Sequence, residues 1–400
     1  MLHWFRSTSF FLLALFSLHV NASNAGEVLN GIDVLELENF KPLKNLRVGL
    51  ITNPSGVNRS HRSTIDILNE ARSLKLVKLF SPEHGIRGNL DQPNISDSLD
   101  DKTKLPIISL FGPNKAPLPK HLDDIDALVF DIQDIGTRFF TYISTMKLSM
   151  QAASKAGKKF IVLDRINPIG GVIVEGPVNV DREVFVGIHS VPVRHGMTVG
   201  ELAQLFKHDL KLDLELEIIK LRGWKRSMQF RDTGIKWINP SPIMNGPLTA
   251  TLYPGVGLHE FSVSVGRGTD LPFEMLGAPY INGRKLEKKL NTYGLKGVSF
   301  SAYDFTPTKS VFENEACEGI SFKVTDEDSF RPTAFGLALA HATYSLYPRK
   351  YDLEKFNILT LHKSTIDAIR TGTSYSKILA MWEKETQAFK KKRKEFLLYD

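Results

Sequence analysis

The 400-residue chain has one cysteine, Cys317, so it cannot form an intramolecular disulfide. Its apolar stretch at residues 10–20 is shorter than the roughly 20 residues that span a bilayer as a helix. Neither absence excludes a folded exported protein, because a chain of this length can bury a large core without covalent cross-links. With 42% hydrophobic and 24% charged residues, the composition is typical of a globular protein.

Several catalytic and cofactor-binding motifs are also missing. The sequence contains no HExxH zinc helix, no GxxxxGK phosphate loop and no GxSxG serine turn, and no dinucleotide-binding glycine fingerprint follows the first strand. No cysteine pair or histidine cluster has the spacing of zinc ligands. Asp131 and Asp134 could together contact Mg²⁺, but two acids three residues apart are common in proteins. We therefore expect a protein without a metal or cofactor.

The chain has only a modest excess of basic residues, with 51 Lys and Arg against 44 Asp and Glu. This excess suits an anionic surface such as a cell wall, a membrane or a nucleic acid. The basic residues are not interleaved with aromatic ones as in a nucleic-acid reader, and the run Lys390–Lys394 resembles a solvated helix end. We expect no nucleic-acid partner, and the sequence sets no oligomeric state.

The N-terminal 25 residues have the pattern of a signal peptide. Arg6 precedes the apolar stretch, and small residues follow at Ala22, Ser23 and Ala25. No cysteine lies at these cleavage positions, so no lipid anchor is expected. The sequence therefore predicts an exported protein, periplasmic or secreted, with no stable membrane insertion after cleavage.

From residue 45 onward, short apolar runs alternate with helical patterns. This alternation predicts an α/β fold, with a Rossmann-like parallel sheet covered by helices on both faces, over residues 26–245. The segment Thr198–Glu201 is a capping box that starts a helix. After residue 246, glycine and proline become dense, and short strands precede helices near Pro332 and over residues 375–396. We expect residues 246–400 to form an α+β auxiliary domain.

Polar side chains cluster where the predicted parallel strands end. Ligands bind at this edge in open α/β sheets, so these residues are candidates for a site. They are Glu83, His84, Arg87, Asp131, Asp134, Arg138, Asp164, Arg165 and Asn167. Asp131 and Asp164 could instead cap loops or pair with arginines. Such a crevice, rich in acids and arginines, favours glycosidase chemistry, in which one acid donates a proton and a second carboxylate acts as base or nucleophile.

Six ordered motifs in the first half carry a family resemblance. They are Thr52–Gly56, Pro82–Gly88, Phe130–Arg138, Leu163–Gly171 with Val174–Pro177, and Pro192–Thr198. Tyr253–Gly255, Gly266–Thr269, Pro272–Glu274 and Leu397–Tyr399 continue the pattern. Together they resemble the DUF1343 family, whose characterised members are exo-β-N-acetylmuramidases of the NamZ type, glycoside hydrolase family 171. The resemblance covers nearly the whole mature chain.

The resemblance implies a cleft between two domains and release of N-acetylmuramic acid from the non-reducing ends of peptidoglycan fragments. Within it, Glu83 is the first candidate for a catalytic carboxylate, Glu175 the second, and Asp131 the competitor. Arg165, Arg194 and Arg267 are candidates for binding the lactyl carboxylate of muramic acid, and each could equally form a structural ion pair. His195 and Tyr142 complete the predicted substrate-binding set.

The chain also departs from the family pattern. Residues 259–265 read HEFSVSV, where the family has a string like EGTNVSEG, and Asn245–Pro247 replaces a more usual Asn-Met-Pro. If the altered loop touches substrate, a different aglycone preference or weak activity would follow. A non-catalytic muropeptide-binding protein therefore stays an alternative to the hydrolase. An esterase or amidase is a third hypothesis, against which the missing serine turn and zinc ligands count.

Overall fold

The computed structural model describes residues 26–86 and 96–400. The predicted signal segment and Arg87 lie outside these ranges. The strands are β1 Arg47–Thr52, β2 Lys75–Ser81, β3 Ser98–Leu99, β4 Pro106–Ser109, β5 Ala127–Asp131, β6 Lys159–Leu163, β7 Glu175–Val178, β8 Pro192–Arg194, β9 Leu216–Ile219, β10 Met275–Ala278, β11 Val298–Phe305 and β12 Cys317–Val324. The α-helices are α1 Gly31–Leu37, α2 Thr64–Glu70, α3 Pro119–Leu122, α4 Tyr142–Lys155, α5 Val199–Asp209, α6 Pro247–Val256, α7 Gly283–Leu290, α8 Pro332–Leu346, α9 Leu353–Thr360, α10 Lys363–Arg370 and α11 Tyr375–Arg393.

In the described ranges, seven strands form one sheet in the order β3-β4-β2-β1-β5-β6-β9. All neighbours are parallel except the short edge strand β3, which runs antiparallel to β4. The chain order reverses at β1, because β2 lies on one side of it and β5 on the other. Such a switch point opens a crevice at the carboxyl ends of the strands. The predicted Rossmann-like sheet is confirmed.

Side chains of the central strands alternate between two cores. Leu128 and Phe130 of β5 belong to the larger core, while Ala127 and Val129 pack on the opposite face with residues of α1 and α2. The larger core takes in α4 and α5 and continues into the second half of the chain. Both faces of the sheet are thus buried, which explains why its strands are apolar throughout.

The predicted capping box is present at the start of α5. The Thr198 hydroxyl accepts a hydrogen bond from the Glu201 amide at 3.2 Å, and the Glu201 carboxylate accepts one from the Thr198 amide at 3.0 Å. Two otherwise unpaired amides at the helix start are satisfied in this way. The sequence pattern located this helix start correctly.

The second half of the chain combines a small antiparallel sheet, β10-β12-β11, with helices, as predicted. The sequence pattern did not predict helix α6, because glycine and proline are dense there. The glycines let α6 approach α8 closely: a Cβ on Gly255 would lie 1.9 Å from the Pro332 carbonyl oxygen. Among the described residues, no helix is long and apolar enough to cross a membrane.

Candidate functional site

Glu83 lies in a tight turn just after β2. The turn is closed by a hydrogen bond of 3.2 Å from the Gly85 amide to the Pro82 carbonyl oxygen. His84 and Gly85 both adopt positive φ angles, 69° and 78°. A left-handed conformation is costly for a residue with a side chain, so the turn is a specific local structure rather than a generic loop. It holds the Glu83 carboxylate at the carboxyl edge of the sheet.

Glu83 faces a cavity of about 190 Å³, which we call the Glu83 cavity. Residues from both halves of the chain form its walls. They are Glu83, His84, Phe139, Phe140, Thr141, Tyr142, Val186, Ser241, Ile243, Met244, Tyr253, Glu260, Phe261, Arg267 and Leu359. Four of the predicted site residues therefore line one cavity: Glu83, His84, Tyr142 and Arg267.

One hydroxyl group orients the Glu83 carboxylate. The Thr141 hydroxyl, at the start of α4, donates a hydrogen bond of 2.6 Å to Glu83 Oε2. The next residue, Tyr142, donates its hydroxyl hydrogen to the Pro240 carbonyl oxygen, and the Asn53 amide donates to the same oxygen at 2.9 Å. The start of α4 thus fixes both the Glu83 carboxylate and the loop that contains Pro240.

A second carboxylate, Glu260, lies in the same cavity. It forms an ion pair with Arg267. Burial raises the pKa of Glu260, the neighbouring Arg267 lowers it, and the negative charge of Glu83 raises it further. The net upward shift favours the protonated form, the one that a general acid needs.

Aromatic rings surround the two carboxylates. The Tyr253 ring packs against Phe139, with centroids 5.1 Å apart, and against Phe140 at 6.1 Å. Burial, together with the charge of Glu260, raises the pKa of the Tyr253 hydroxyl well above its usual value, so this group stays protonated. A cavity with two carboxylates, a neutral tyrosine and aromatic walls is suited to a sugar, whose faces are apolar and whose edges are polar.

Asp131 is placed differently from Glu83. It is 0% exposed, and Arg165 donates two hydrogen bonds to it, at 2.6 Å from Nε and 2.9 Å from Nη2. The Thr64 hydroxyl donates a third at 2.5 Å. Asp131 and Arg165 therefore form a buried pair outside the Glu83 cavity. The sequence left open whether Asp131 and Arg165 form a structural ion pair. The structure shows that they do, and neither group faces the Glu83 cavity.

Glu175 also lies away from Glu83. It lines a separate cavity of about 550 Å³ beside α8 and α11, and Arg194 donates to it at 3.1 Å. Burial raises the pKa of Glu175, and the charge of Arg194 opposes this shift. The structure thus does not bring together the first and second candidate carboxylates, and the catalytic roles of Glu175 and Asp131 stay sequence-based predictions.

The remaining predicted binding residues are buried in the framework. Arg138 donates to the carbonyl oxygens of Pro177, Val191, Leu359 and Thr360. Asp134 accepts a hydrogen bond from the Gly136 amide at 2.7 Å and lies 3.6 Å from His195 Nε2, while Asn167 donates to the Met197 carbonyl oxygen at 3.0 Å.

Asp164 accepts hydrogen bonds from four groups: the Arg165 and Gly200 amides and the Thr198 and Tyr399 hydroxyls. Burial nevertheless raises its pKa to about 7. Asp164 thereby ties the end of β6 to the start of α5 and to the C-terminal segment. These four hydrogen bonds occupy both carboxylate oxygens of Asp164, so it serves the framework.

Sequence reasoning did not select Glu260 or Tyr253 as site residues. Both had a signal, since Tyr253 begins one of the quoted family motifs and Glu260 lies in the segment 259–265 that departs from the family pattern. That segment does contribute to the cavity, through Glu260 and Phe261. In the described part of the chain, no group of three or more His, Cys, Asp or Glu residues could hold a metal ion.

Comparison with known proteins assigns both halves of the chain to one family. Residues 48–247 match the N-terminal domain of the family described as exo-beta-N-acetylmuramidase NamZ, and residues 251–399 match its C-terminal domain. The chain belongs to the NamZ family. The prediction of a glycoside hydrolase of the DUF1343 type is thereby confirmed.

Individual relatives support the same assignment over most of the chain. The peptidoglycan beta-N-acetylmuramidase NamZ of Bacillus subtilis (strain 168) is 43% identical over 379 residues, which cover 93% of this chain and 92% of the relative. Two DUF1343 family proteins from Bacteroides fragilis NCTC 9343 have similar crystal structures. One has a TM-score of 0.87 at 37% identity, the other 0.76 at 29%, and each alignment covers 94% of this chain and 99% of the other protein.

Proposed function

We propose that this protein is an exported, exo-acting muramidase that releases N-acetylmuramic acid from the non-reducing ends of peptidoglycan fragments. The observation that carries the proposal is the presence of two carboxylates, Glu83 and Glu260, in one cavity with aromatic walls. The name of the Bacillus subtilis relative supports the substrate class. The signal-peptide pattern of residues 1–25 supports export, which cell fractionation with an antibody would test.

The two carboxylates have different surroundings, which suit different roles. Glu260, whose pKa burial raises, donates its proton to the glycosidic oxygen as the bond to the anomeric carbon breaks. Glu83, oriented by Thr141, acts as the ionised partner, either by activating water or by attacking the anomeric carbon. Proton NMR of the first-formed sugar distinguishes these two routes, because attack by Glu83 retains the anomeric configuration and activation of water inverts it.

The test uses residues 26–400 with para-nitrophenyl β-N-acetylmuramide and the corresponding N-acetylglucosaminide. We expect release from the muramide and little from the glucosaminide. The Glu83→Gln variant should lose at least about a thousandfold in kcat, within the range of general acid-base and nucleophilic groups. Undiminished activity of this folded variant would contradict the assignment of Glu83 and leave the enzyme class intact.

The role of Glu260 requires a second comparison, between leaving groups. The Glu260→Gln variant should lose more activity on a muramic acid–N-acetylglucosamine disaccharide than on the chromogenic muramide. Nitrophenolate leaves without much help from an acid, whereas a sugar alcohol needs the proton. Equal losses on both substrates would show that Glu260 serves to position Arg267 or substrate rather than to donate a proton.

One observation favours a second candidate function, a muropeptide-binding protein on the same scaffold. Glu260 is paired with Arg267, and an arginine partner favours the ionised form of a carboxylate. If this pairing prevails over burial, the cavity would bind sugar without supplying a proton. Calorimetric binding of a muropeptide with no release from either chromogenic substrate would establish this alternative.

A further inference from the structure

Lys115 has an unusual environment close to the Glu83 cavity, although it is not one of the residues that line it. It lies in the loop between β4 and α3, and its ammonium nitrogen is 3.7 Å from the centroid of the Phe111 ring and 4.8 Å from that of Phe185. The two rings are themselves 6.5 Å apart. Cation–π contacts of this kind hold an ammonium group in place without cancelling its charge.

No carboxylate of the described residues 26–86 and 96–400 lies within ion-pair distance, 4.0 Å, of the Lys115 ammonium. The three arginines that the sequence offered for the lactyl carboxylate all have such a partner. Arg165 pairs with Asp131, Arg194 with Glu175 and Arg267 with Glu260. Lys115 therefore differs from these three cations in keeping its positive charge available for a ligand.

Two observations indicate that Lys115 lies near the cavity. Phe185, which contacts the ammonium, immediately precedes Val186 in the cavity wall, and its carbonyl oxygen accepts a hydrogen bond of 2.6 Å from the Ser144 hydroxyl of α4. Partial burial lowers the pKa of Lys115, and the charge of Glu83 opposes this shift. The ammonium group is thus within electrostatic reach of the candidate catalytic carboxylate.

We propose that the Lys115 ammonium forms the subsite for the lactyl carboxylate, the group that distinguishes N-acetylmuramic acid from N-acetylglucosamine. The proposal rests on the muramidase function and deepens it by naming a residue for substrate selection. A carboxylate bound beside the Phe111 and Phe185 rings would form a charge-assisted hydrogen bond to Lys115 in a partly dehydrated place, where such bonds are stronger than in water.

The test compares two chromogenic substrates that differ only at the lactyl group, one with the free carboxylate and one with its primary amide. Wild-type protein should prefer the acid. The Lys115→Met variant, whose thioether still packs on the two rings, should lose about ten- to a hundredfold in kcat/KM on the acid and change little on the amide. Lys115→Arg should keep most of the preference. Lys120→Met, at an exposed position of α3, is the matched control and should resemble wild type.

Two outcomes would overturn the proposal. An equal loss on acid and amide would assign Lys115 a structural role, and an unchanged preference in Lys115→Met would show that another cation, such as Arg267, reads the carboxylate. A melting curve and the variant Lys115→Gln guard against a result that merely reflects misfolding.

A binding measurement separates failure of this proposal from failure of the muramidase function. Calorimetry with free N-acetylmuramic acid and with N-acetylglucosamine requires no turnover. Muramic acid binding that depends on Lys115, without hydrolysis, would keep the subsite and remove the enzyme activity. Hydrolysis that prefers the acid substrate to the same extent with and without Lys115 would keep the muramidase function and remove the Lys115 subsite. If the protein showed no binding and no hydrolysis, both the Lys115 subsite and the muramidase function would be overturned.

Discussion

Two acidic residues lie at the same edge of the parallel sheet. Glu83 follows β2 by two residues and Asp131 ends β5, and these two strands flank β1. Asp131 is fully buried and receives three hydrogen bonds, two of them from Arg165. Glu83 is half-buried, faces a cavity and receives a hydrogen bond from the hydroxyl of Thr141. One acid is part of the framework, and the other faces a cavity.

This difference shows what a candidate catalytic carboxylate requires beyond its place in the sheet. An acid that is buried with a cation contributes to the fold, and removing either partner leaves an uncompensated charge in the interior. An acid at a cavity wall can instead interact with whatever enters. Sheet topology brings both residues to the same edge, and the surrounding side chains then give them separate roles.

The largest effect that sharpens this comparison concerns stability. Asp131→Ala should lower the free energy of unfolding by about 3–5 kcal/mol, because Arg165 would remain buried without its partner. Glu83→Ala should change it by less than about 1 kcal/mol, as is usual for residues outside the core. Urea unfolding of both variants measures this. Similar losses for the two variants would remove the distinction between framework and site.

The second effect concerns the pH dependence of stability at His259, the residue that precedes Glu260. His259 is fully buried next to Glu260; its Nε2 lies 3.0 Å from the Gly336 carbonyl oxygen and its Nδ1 lies 2.9 Å from the Tyr351 hydroxyl. Burial lowers the pKa of His259 from 6.5 to about 4, and the hydrogen bond to Gly336 opposes the shift. Between these values the unfolded chain binds a proton that the native state does not, so stability falls as pH falls.

This linkage predicts a loss of about 3 kcal/mol between pH 7.5 and pH 4 that depends on His259. Urea unfolding at the two pH values should show a drop in His259→Gln that is smaller than the wild-type drop by this amount. The comparison of the two drops removes the contributions of other titrating groups. Identical drops would show that His259 titrates normally in the native protein.

A smaller effect concerns the hydroxyl group that orients Glu83. Thr141→Val keeps the shape of the side chain but removes its hydrogen bond to the carboxylate. We expect about a ten- to hundredfold loss in kcat on the chromogenic muramide, because hydrogen bonds to charged groups contribute about 1.5–3 kcal/mol. Thr141→Ser should retain most of the activity. If valine and serine had the same effect, the hydrogen bond would not be the reason.

The smallest expected effect is at Glu175, the second candidate of the sequence analysis. Because it lines a different cavity and pairs with Arg194, Glu175→Gln should leave kcat/KM on the muramide within about threefold of wild type. Melting temperature should fall instead, since Arg194 would lose its charged partner. A loss of activity comparable to that of Glu83→Gln would restore Glu175 to the catalytic pair.

Much of the fold could be predicted from sequence because its signals are local. Apolar runs located the parallel strands, and the pair Thr198 and Glu201 located the start of α5. Helix α6 was missed because proline and glycine usually end helices. Its glycines serve instead to bring α6 against α8, a reason that exists only between two elements distant in sequence.

The candidate site also combines features that the sequence encodes locally with features that only the tertiary structure creates. The sequence alone determined that Glu83 follows a strand and that acids and arginines gather at the edge of the sheet. Only the tertiary structure decided that Arg165 pairs with Asp131, that Arg194 pairs with Glu175, and that Glu260 faces the cavity with Glu83. Patterns of neighbouring residues encode helices, strands and turns. Whether a carboxylate meets a cation, a hydroxyl group or open space depends on contacts between segments far apart in the chain.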